Sequence, residues 1–420
     1  MLRSLEGIEN RFANPLSSDL IEFAIKLDNP KSLSKVLNNF QKVFMGLRLK
    51  VIDQHYHEAP QAQVIKLPQY IQSVRTACDW MFKNHSLPID QRLASIAAND
   101  SIVVINTNHN CGDSGFILKA LKHCLDDDLG FTDHKCPISE SAGFKNEIER
   151  AEKVKPPIFP YNECTSIVYD KNDPHFDTDN LPPEVIETAI PAEQLACYDF
   201  KLKRPKGLTE HIWIATTINL AAMALKTRGK QHLALPIIID ERKFADDPKK
   251  IDWSYTNCVT AAHIRACPKD NDTIQDIGKQ FRKDLERIGK DGYFYWINNG
   301  NFSGNPYHGY AMSSSIGAIN IKKPIIDFHI QSRPMCSPEV KISPDMMAGG
   351  LNIFSYSLVT PTKNVFYPTM NSIPSTTTQK VKHALHQGFL HFMKDIPVDT
   401  KYNEALAELE NFQNKIMAEF

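Results

Sequence analysis

The sequence predicts a mixed α/β protein built in two halves, and three observations carry that expectation. Strand-like and helix-like stretches are interleaved along the whole chain. A proline-rich segment at about residues 152–208, holding Pro156, Pro157, Pro160, Pro174, Pro182, Pro183, Pro191 and Pro205, lies between them and reads as the link. The 420 residues, 42% hydrophobic and 23% charged, suffice for two cores of about 200 residues each. The expected units are an N-terminal half at 1–190 and a C-terminal half at 191–420.

Taken in order, Leu20, Phe23, Ala24 and Leu27 fall on one helical face, then Leu33, Val36, Leu37, Phe40 and Phe44 on another, predicting two amphipathic helices within the first 50 residues. Residues 63–67 read as a short strand. Residues 70–82 read as a helix with Ile71, Val74, Cys78 and Met81 inward. Ile102, Val103, Val104 and Ile105 form an unbroken β-branched run, as in a strand covered on both faces. It runs through Asn106, Thr107 and Asn108 to His109. Beyond it Ile117, Leu118, Leu121, Cys124 and Leu125 have helical spacing, with Asp113 or Ser114 as the N-cap. His109 is therefore expected in a tight loop between a buried strand and a helix.

In the second half, residues 209–226 predict a buried central helix, apolar over 212–225 except for Thr216, Thr217 and Asn219. Strands are expected at 233–239, 316–321 and 351–359. Helices are expected at 273–288, 380–393 and 403–417.

Bulk properties exclude several classes. Lys plus Arg number 48 against 49 Asp plus Glu, so no global field steers the chain to nucleic acid or to an anionic membrane. No run of about 18 apolar residues could span a bilayer, and the opening MLRSLEGIENRF lacks a signal-peptide core. The nine cysteines are odd in number and without CxxC spacing, which predicts reduced thiols, neither a disulfide framework nor a zinc site, and a cytoplasmic location.

The chemistry-bearing stretch is His109-Asn110-Cys111-Gly112-Asp113, an HxxxD pattern followed by Ser114-Gly115. An imidazole suits proton transfer near neutral pH, making His109 the candidate base. Asp113 would shape the loop, either by capping the next helix or by pairing with a remote cation. Gly112 and Gly115 would let the chain turn sharply and let a substrate approach the backbone. Gly112 to Gly115 also spells the nucleophile step of trypsin-like serine proteases, with Ser114 acylated. That reading needs an upstream β-barrel carrying its own His and Asp, where the pattern is largely helical. His55-Tyr56-His57-Glu58 would offer two metal ligands on one face of a strand, but with no third ligand evident it reads as a solvent-facing loop. Cys111, two residues from His109, reads as a small buried thiol.

The HxxxD stretch resembles the HHxxxDG motif of the chloramphenicol acetyltransferase-like superfamily, which includes alcohol acetyltransferases and condensation domains. Two further segments extend the resemblance: the 209–226 helix followed by Leu235-Pro236-Ile237-Ile238-Ile239-Asp240-Glu241-Arg242, similar to a "VDxR"-like strand end, and Ser314-Ser315-Ile316-Gly317, similar to an "SN(L/I)G" step. The helical opening that runs into Met45-Gly46-Leu47-Arg48 is also similar. Asn108 stands where the family has its first His, and Ser114 where it has Gly.

The resemblance, nearest the alcohol acetyltransferase and condensation branches, implies two similar subdomains with an active-site tunnel at their junction. It implies acyl transfer from acyl-CoA, as co-substrate, to a small-molecule alcohol or amine, the alcohol first, with His109 as general base and no tightly bound cofactor or metal. A separate acyl-carrier protein is an alternative donor. Arg242 is implied as the partner of Asp113 across the halves, and Ser314, Ser315, Gly317 and Asn257 as substrate or oxyanion candidates. A non-catalytic binding or scaffold member of the same fold is the alternative from another class, with a serine hydrolase using Ser114 behind it.

Overall fold

The computed structural model describes residues 1–13, 17–132, 134–154, 184–223, 233–292, 294–297, 312–336, 351–372 and 379–419. Much of the proline-rich stretch and the ends of several expected elements lie outside them.

A five-stranded sheet runs in the order Ile325–Cys336, Ser17–Leu27, Ile102–Asn108, Ala94–Ala98, Ile65–Lys66, antiparallel except for its last pair. The expectation of a helix at residues 20–27 is overturned, because this segment is a central strand. Phe23 is in register with Ile330 on one side and Ile105 on the other. Both faces of the strand are covered. Ala24 and Val104 pack with Ala77 and Met81 of helix Val74–His85, while Phe23 and Ile105 pack with Phe40 of helix Leu33–Val43 and Phe116 of helix Ser114–His123. A strand buried on both faces has no need to alternate, so its apolar residues fell by chance on a helical period. His55–Glu58 is also a strand, paired with Leu49–Ile52, with Tyr56 buried. The expectation of a solvent-facing loop, drawn from the lack of a third ligand, is overturned, with His55 and His57 on the less buried face of the strand.

A seven-stranded sheet runs Val259–Ala266, Leu233–Asp240, Met312–Asn320, Leu351–Val359, Asn364–Ser372, Glu184–Glu187, with Ile190–Pro191 also paired to Asn364–Ser372. Met312–Asn320 is parallel to both of its neighbours and the other pairs are antiparallel. One face carries helices Leu208–Met223, Ile274–Asp291, Gln379–Asp395 and Tyr402–Glu419 over a single large core. The other face contributes Phe354, Tyr356 and Leu358 to the core of the smaller sheet. Apolar packing thus joins the halves.

Residue 190 does not divide the sheets. Glu184–Glu187 belongs to the larger sheet, and Ile325–Cys336 crosses from the second half to pair with Ser17–Leu27 in the smaller one.

Helix Leu208–Met223 is buried nearly all round, as its composition required. The three polar residues that interrupt its apolar run are satisfied: Thr216 and Thr217 donate to the carbonyls of Ile212 and Trp213 at 2.8 and 2.9 Å, and Asn219 donates to the Leu385 carbonyl at 2.8 Å. Among the described residues no helix is long and apolar enough to cross a membrane, and no group of three or more His, Cys, Asp or Glu could hold a metal ion.

Candidate active site

Strand Ile102–Asn108 is buried at every position and delivers His109 at its end. The chain then makes a 3-10 turn, His109–Cys111, in which the Asn108 Oδ1 accepts the Asn110 N–H at 3.0 Å. The Asn108 Nδ2 donates to the Phe12 carbonyl and the Asn110 Nδ2 to the Glu9 carbonyl, each at 3.0 Å. Together these amides draw the short helix Ile8–Phe12 onto the loop. Phe12 consequently stacks on the imidazole, with ring centroids 4.1 Å apart and planes 8° from parallel. Glu9 is itself fixed by Arg3, whose two terminal nitrogens donate to its oxygens at 2.6 and 2.8 Å. His109 is left partly buried, next to a rigid strand end.

Asp113 is fully buried. Its Oδ1 accepts the Phe116 N–H at 2.8 Å, which caps helix Ser114–His123, and its Oδ2 accepts the Cys258 N–H at 2.6 Å. Arg242 donates to the same two oxygens at 3.0 and 2.8 Å. The two roles read from the sequence, helix cap and partner of a remote cation, are therefore both present. Four donors fill a carboxylate's capacity, so Asp113 orients the loop and has no oxygen left to exchange a proton with a substrate.

Arg242 also donates to Asp240 at 2.9 Å and twice to the Tyr255 carbonyl, at 3.2 and 2.7 Å. Burial opposes its charge, but Asp113 and Asp240 outweigh that and hold its pKa above the ordinary arginine range. Burial pushes the Asp240 carboxyl up, with Arg242 pulling the other way.

Residues 254–258 complete the clamp. The Thr256 carbonyl accepts the Asp113 N–H at 3.0 Å, and the Thr256 hydroxyl donates to the Asn110 carbonyl at 3.0 Å. Asn257 follows in the same segment. Its side chain is buried, and neither amide atom has a hydrogen-bond partner among the described residues. An unmet buried amide is costly, and a polar group of a ligand could satisfy it.

The two glycines act differently from the sharp turns expected of them. Gly112 has φ 177°, ordinary extended backbone. A Cβ there would sit 3.0 Å from the Thr107 methyl, so close packing accounts for it. A Cβ at Gly115 would lie 2.6 Å from Asp240 Oδ2 and 2.7 Å from Arg242 Nη1. Bare backbone at 115 is what lets the helix seat against the Arg242 clamp. The bulk of Ser114, where the family motif has Gly, is borne at the first residue of that helix.

Ser314, Ser315 and Gly317 lie on strand Met312–Asn320, against which helix Ser114–His123 packs. A bulge falls between Ser315 and Gly317, and Gly317 has φ 89°, a left-handed backbone suited to glycine. Ser314 is opposite Phe354, which is opposite Thr369, so the three share the face turned toward the smaller sheet. No hydrogen bond among the described residues ties these serine hydroxyls to the His109 loop. Cys111 and Cys258 are buried, and burial pushes both thiols up, away from thiolate chemistry. Sequence reasoning missed Phe12, Asn110, Thr256, Asp240 and the packing role of Gly115. Of these Asn110, inside the HxxxD stretch, and Asp240 and Gly115, each beside a motif, could have been flagged.

No family model matches this chain, and no curated protein matches it. Solved structures do. A mutant starter condensation domain of rhizomide synthetase in complex with C8-CoA superposes over 96% of each chain with a TM-score of 0.61 at 12% identity. The first condensation domain of the calcium-dependent antibiotic synthetase, with a substrate analogue, covers 94% of each chain with a TM-score of 0.57 at 12% identity. This chain has the condensation-domain fold. The epimerization domain from the third module of tyrocidine synthetase B shares it, over 100% of this chain and 98% of that one, with a TM-score of 0.56 at 11% identity. The two-subdomain architecture implied by the sequence is the observed one, and these matched structures are synthetase domains rather than alcohol acetyltransferases.

Proposed function

We propose that the chain is an acyltransferase in which His109 removes a proton from a hydroxyl or amine as that group attacks an acyl thioester. The donor in this reading is acyl-CoA, and a carrier-protein thioester would offer the same reacting bond. The acceptor heteroatom bonds to the carbonyl carbon while its proton passes to the imidazole. The tetrahedral intermediate then collapses, the carbon–sulfur bond breaks, and the thiolate leaves with that proton. No acyl-enzyme is formed.

The observation that carries the reading is the clamp on the loop: buried Asp113 held by Arg242 at 2.8 and 3.0 Å, with the partly buried imidazole four residues earlier at a strand end. Such a clamp is poor value as net stability, because two charges must be desolvated, and is better understood as orientation of the loop it holds. Asn257, with its unmet amide beside the clamp, is the first candidate to bind the developing oxyanion or a substrate carbonyl. Ser314 and Ser315 are the candidates on the facing sheet. The C8-CoA held by one protein of the same fold makes an acyl-CoA donor the first to try.

The test is a matrix of acyl-CoA donors against alcohols and amines, read by release of free thiol. The expected result is thiol release that depends on the acceptor for at least one pair. Thiol release indifferent to every acceptor would make the protein a hydrolase, and none at all would favour a binding role.

A further inference from the structure

The ring that lies face to face with His109 is held from several directions. A helix of five residues, Ile8–Phe12, is too short to keep its place by its own hydrogen bonds. Both neighbours of His109 tie it down: the Asn108 Nδ2 donates to the Phe12 carbonyl and the Asn110 Nδ2 to the Glu9 carbonyl, each at 3.0 Å. The Glu9 carboxylate accepts from both terminal nitrogens of Arg3, at 2.6 and 2.8 Å, and from the Tyr56 hydroxyl at 3.2 Å. Arg3 in turn donates through Nε to the Pro137 carbonyl at 2.9 Å. Phe12 itself is buried. Asn108, which stands where the family motif has its first His, thus supplies one of the bonds that bring Phe12 to the imidazole.

Two consequences follow from centroids 4.1 Å apart and planes 8° from parallel. The terminal torsion of a histidine is otherwise broad, and a ring pressed flat against a fixed phenyl cannot turn about it, so the plane of the imidazole is set. The face of the phenyl also carries negative potential, which attracts a cation within about 6 Å of its centroid. That attraction is felt by an imidazolium and hardly by a neutral imidazole. The stack therefore favours the protonated ring.

We infer that Phe12 is a positioning residue for the acyl transfer proposed above: it sets the plane of the His109 ring and stabilises the imidazolium that forms as the acceptor's proton arrives. The inference rests on that reading for its chemical role, whereas the effect of the stack on the ring is measurable without turnover. Among the described side chains, the charged and titratable groups on the elements around the loop are Glu9, bonded to Arg3 and Tyr56, Asp113 and Asp240, paired with Arg242, and Asp19 and Glu22 of strand Ser17–Leu27, the second 3.4 Å from Arg333. The Cys111 thiol completes them, and burial pushes it up. A change confined to Phe12 leaves all of these in place.

The test compares the full chain with Phe12→Leu, which keeps apolar bulk without an aromatic face, and Phe12→Tyr, which keeps the face; melting curves verify that both fold. The His109 ring is titrated by NMR, its signal assigned by its loss in His109→Gln. The expected midpoint is lower by about half a pH unit in Phe12→Leu and unmoved in Phe12→Tyr, the scale of one modest cation–π contact. With an acyl-CoA and acceptor that the native protein turns over, kcat is expected to fall about tenfold in Phe12→Leu at unchanged KM, and to return to within about a factor of three in Phe12→Tyr. A Phe12→Leu protein with the native titration or the native kcat would overturn the inference, and so would equal losses in Phe12→Tyr, which would make bulk rather than the ring face responsible. A native protein that releases no thiol with any pair fails the acyltransferase reading, while the titration still decides the stack.

Discussion

Arg242→Met is the perturbation whose consequence can be worked furthest. In the native protein Asp113 is fully buried with four donors, two of them from Arg242. Without the guanidinium the carboxylate keeps only the Phe116 and Cys258 N–H groups, in a place water does not reach. Removing one partner of a buried pair costs about 3–5 kcal/mol. Asp240 also loses its partner, but its side chain is 21% exposed, so it relaxes toward water and adds little. Asp113→Asn alone leaves a lesser fault, a buried Arg242 that keeps Asp240 and the Tyr255 carbonyl but loses the carboxylate that took two of its N–H groups. The double variant removes both charges and should cost less than the two singles summed, by about 2 kcal/mol or more. Urea unfolding of the four proteins at pH 7 measures this coupling. Strictly additive losses would mean that the two side chains do not depend on one another, and the orientation argument would fail.

Gly115→Ala forces a Cβ to within 2.6 Å of Asp240 and 2.7 Å of Arg242, and is expected to cost about 1–3 kcal/mol by the same unfolding assay, as overpacking does. Asn108→Ala removes the bonds to the Phe12 carbonyl and the Asn110 N–H, at about 1–3 kcal/mol for two buried hydrogen bonds. It should also raise protease cleavage near residue 12, because, of the two asparagine amides that hold the first helix on the loop, only that of Asn110 remains. His211, His263, His329 and His386 are held near pKa 4 in the folded chain by burial, so below 6.5 the unfolded chain binds more protons. Their stabilisation is complete above pH 6.5 and is lost as pH falls toward 4. Each ring contributes up to about one proton to the dependence of unfolding free energy on pH there, opposed by the buried Glu22, Glu187 and Glu241, whose carboxyls burial pushes up. NMR titration of the folded chain should find all four rings neutral at about pH 5.5, and rings that charge near 6.5 would contradict those burials.

The parts of the fold that were legible in the sequence were those written locally. The Ile102–Ile105 run followed by a turn and the 117–125 periodicity placed His109 between strand and helix, because one-sided burial imposes a period on neighbouring residues. The cap was narrowed to Asp113 or Ser114, the two residues standing before an apolar helix, and the structure gives it to Asp113. Arg242 was reached through resemblance of the Asp240-Glu241-Arg242 strand end, and the structure puts it 2.8 Å from Asp113.

What stayed hidden depends on contacts made far along the chain. Thr256 reaches Asn110 across 146 residues, and nothing in residues 254–258 signals it. Strand Ser17–Leu27 lost its alternation because helices cover both of its faces. Ile325–Cys336 was invisible for another reason: His329 and Gln331 are buried in it, tied to Tyr356 and to each other, so one of its two buried faces is polar while Phe328 and Ile330 on the other pack in the core of the smaller sheet. Phe12 is an ordinary aromatic until two asparagines bring it to His109.

Acceptor-dependent thiol release by the His109→Ala and Ser114→Ala proteins, side by side with the unaltered chain, tests the central claim most directly. Loss of at least about 100-fold on removing the imidazole, with the serine variant retaining turnover within about a factor of three, is the predicted result. Turnover that survives without His109, or that vanishes with Ser114, would contradict it.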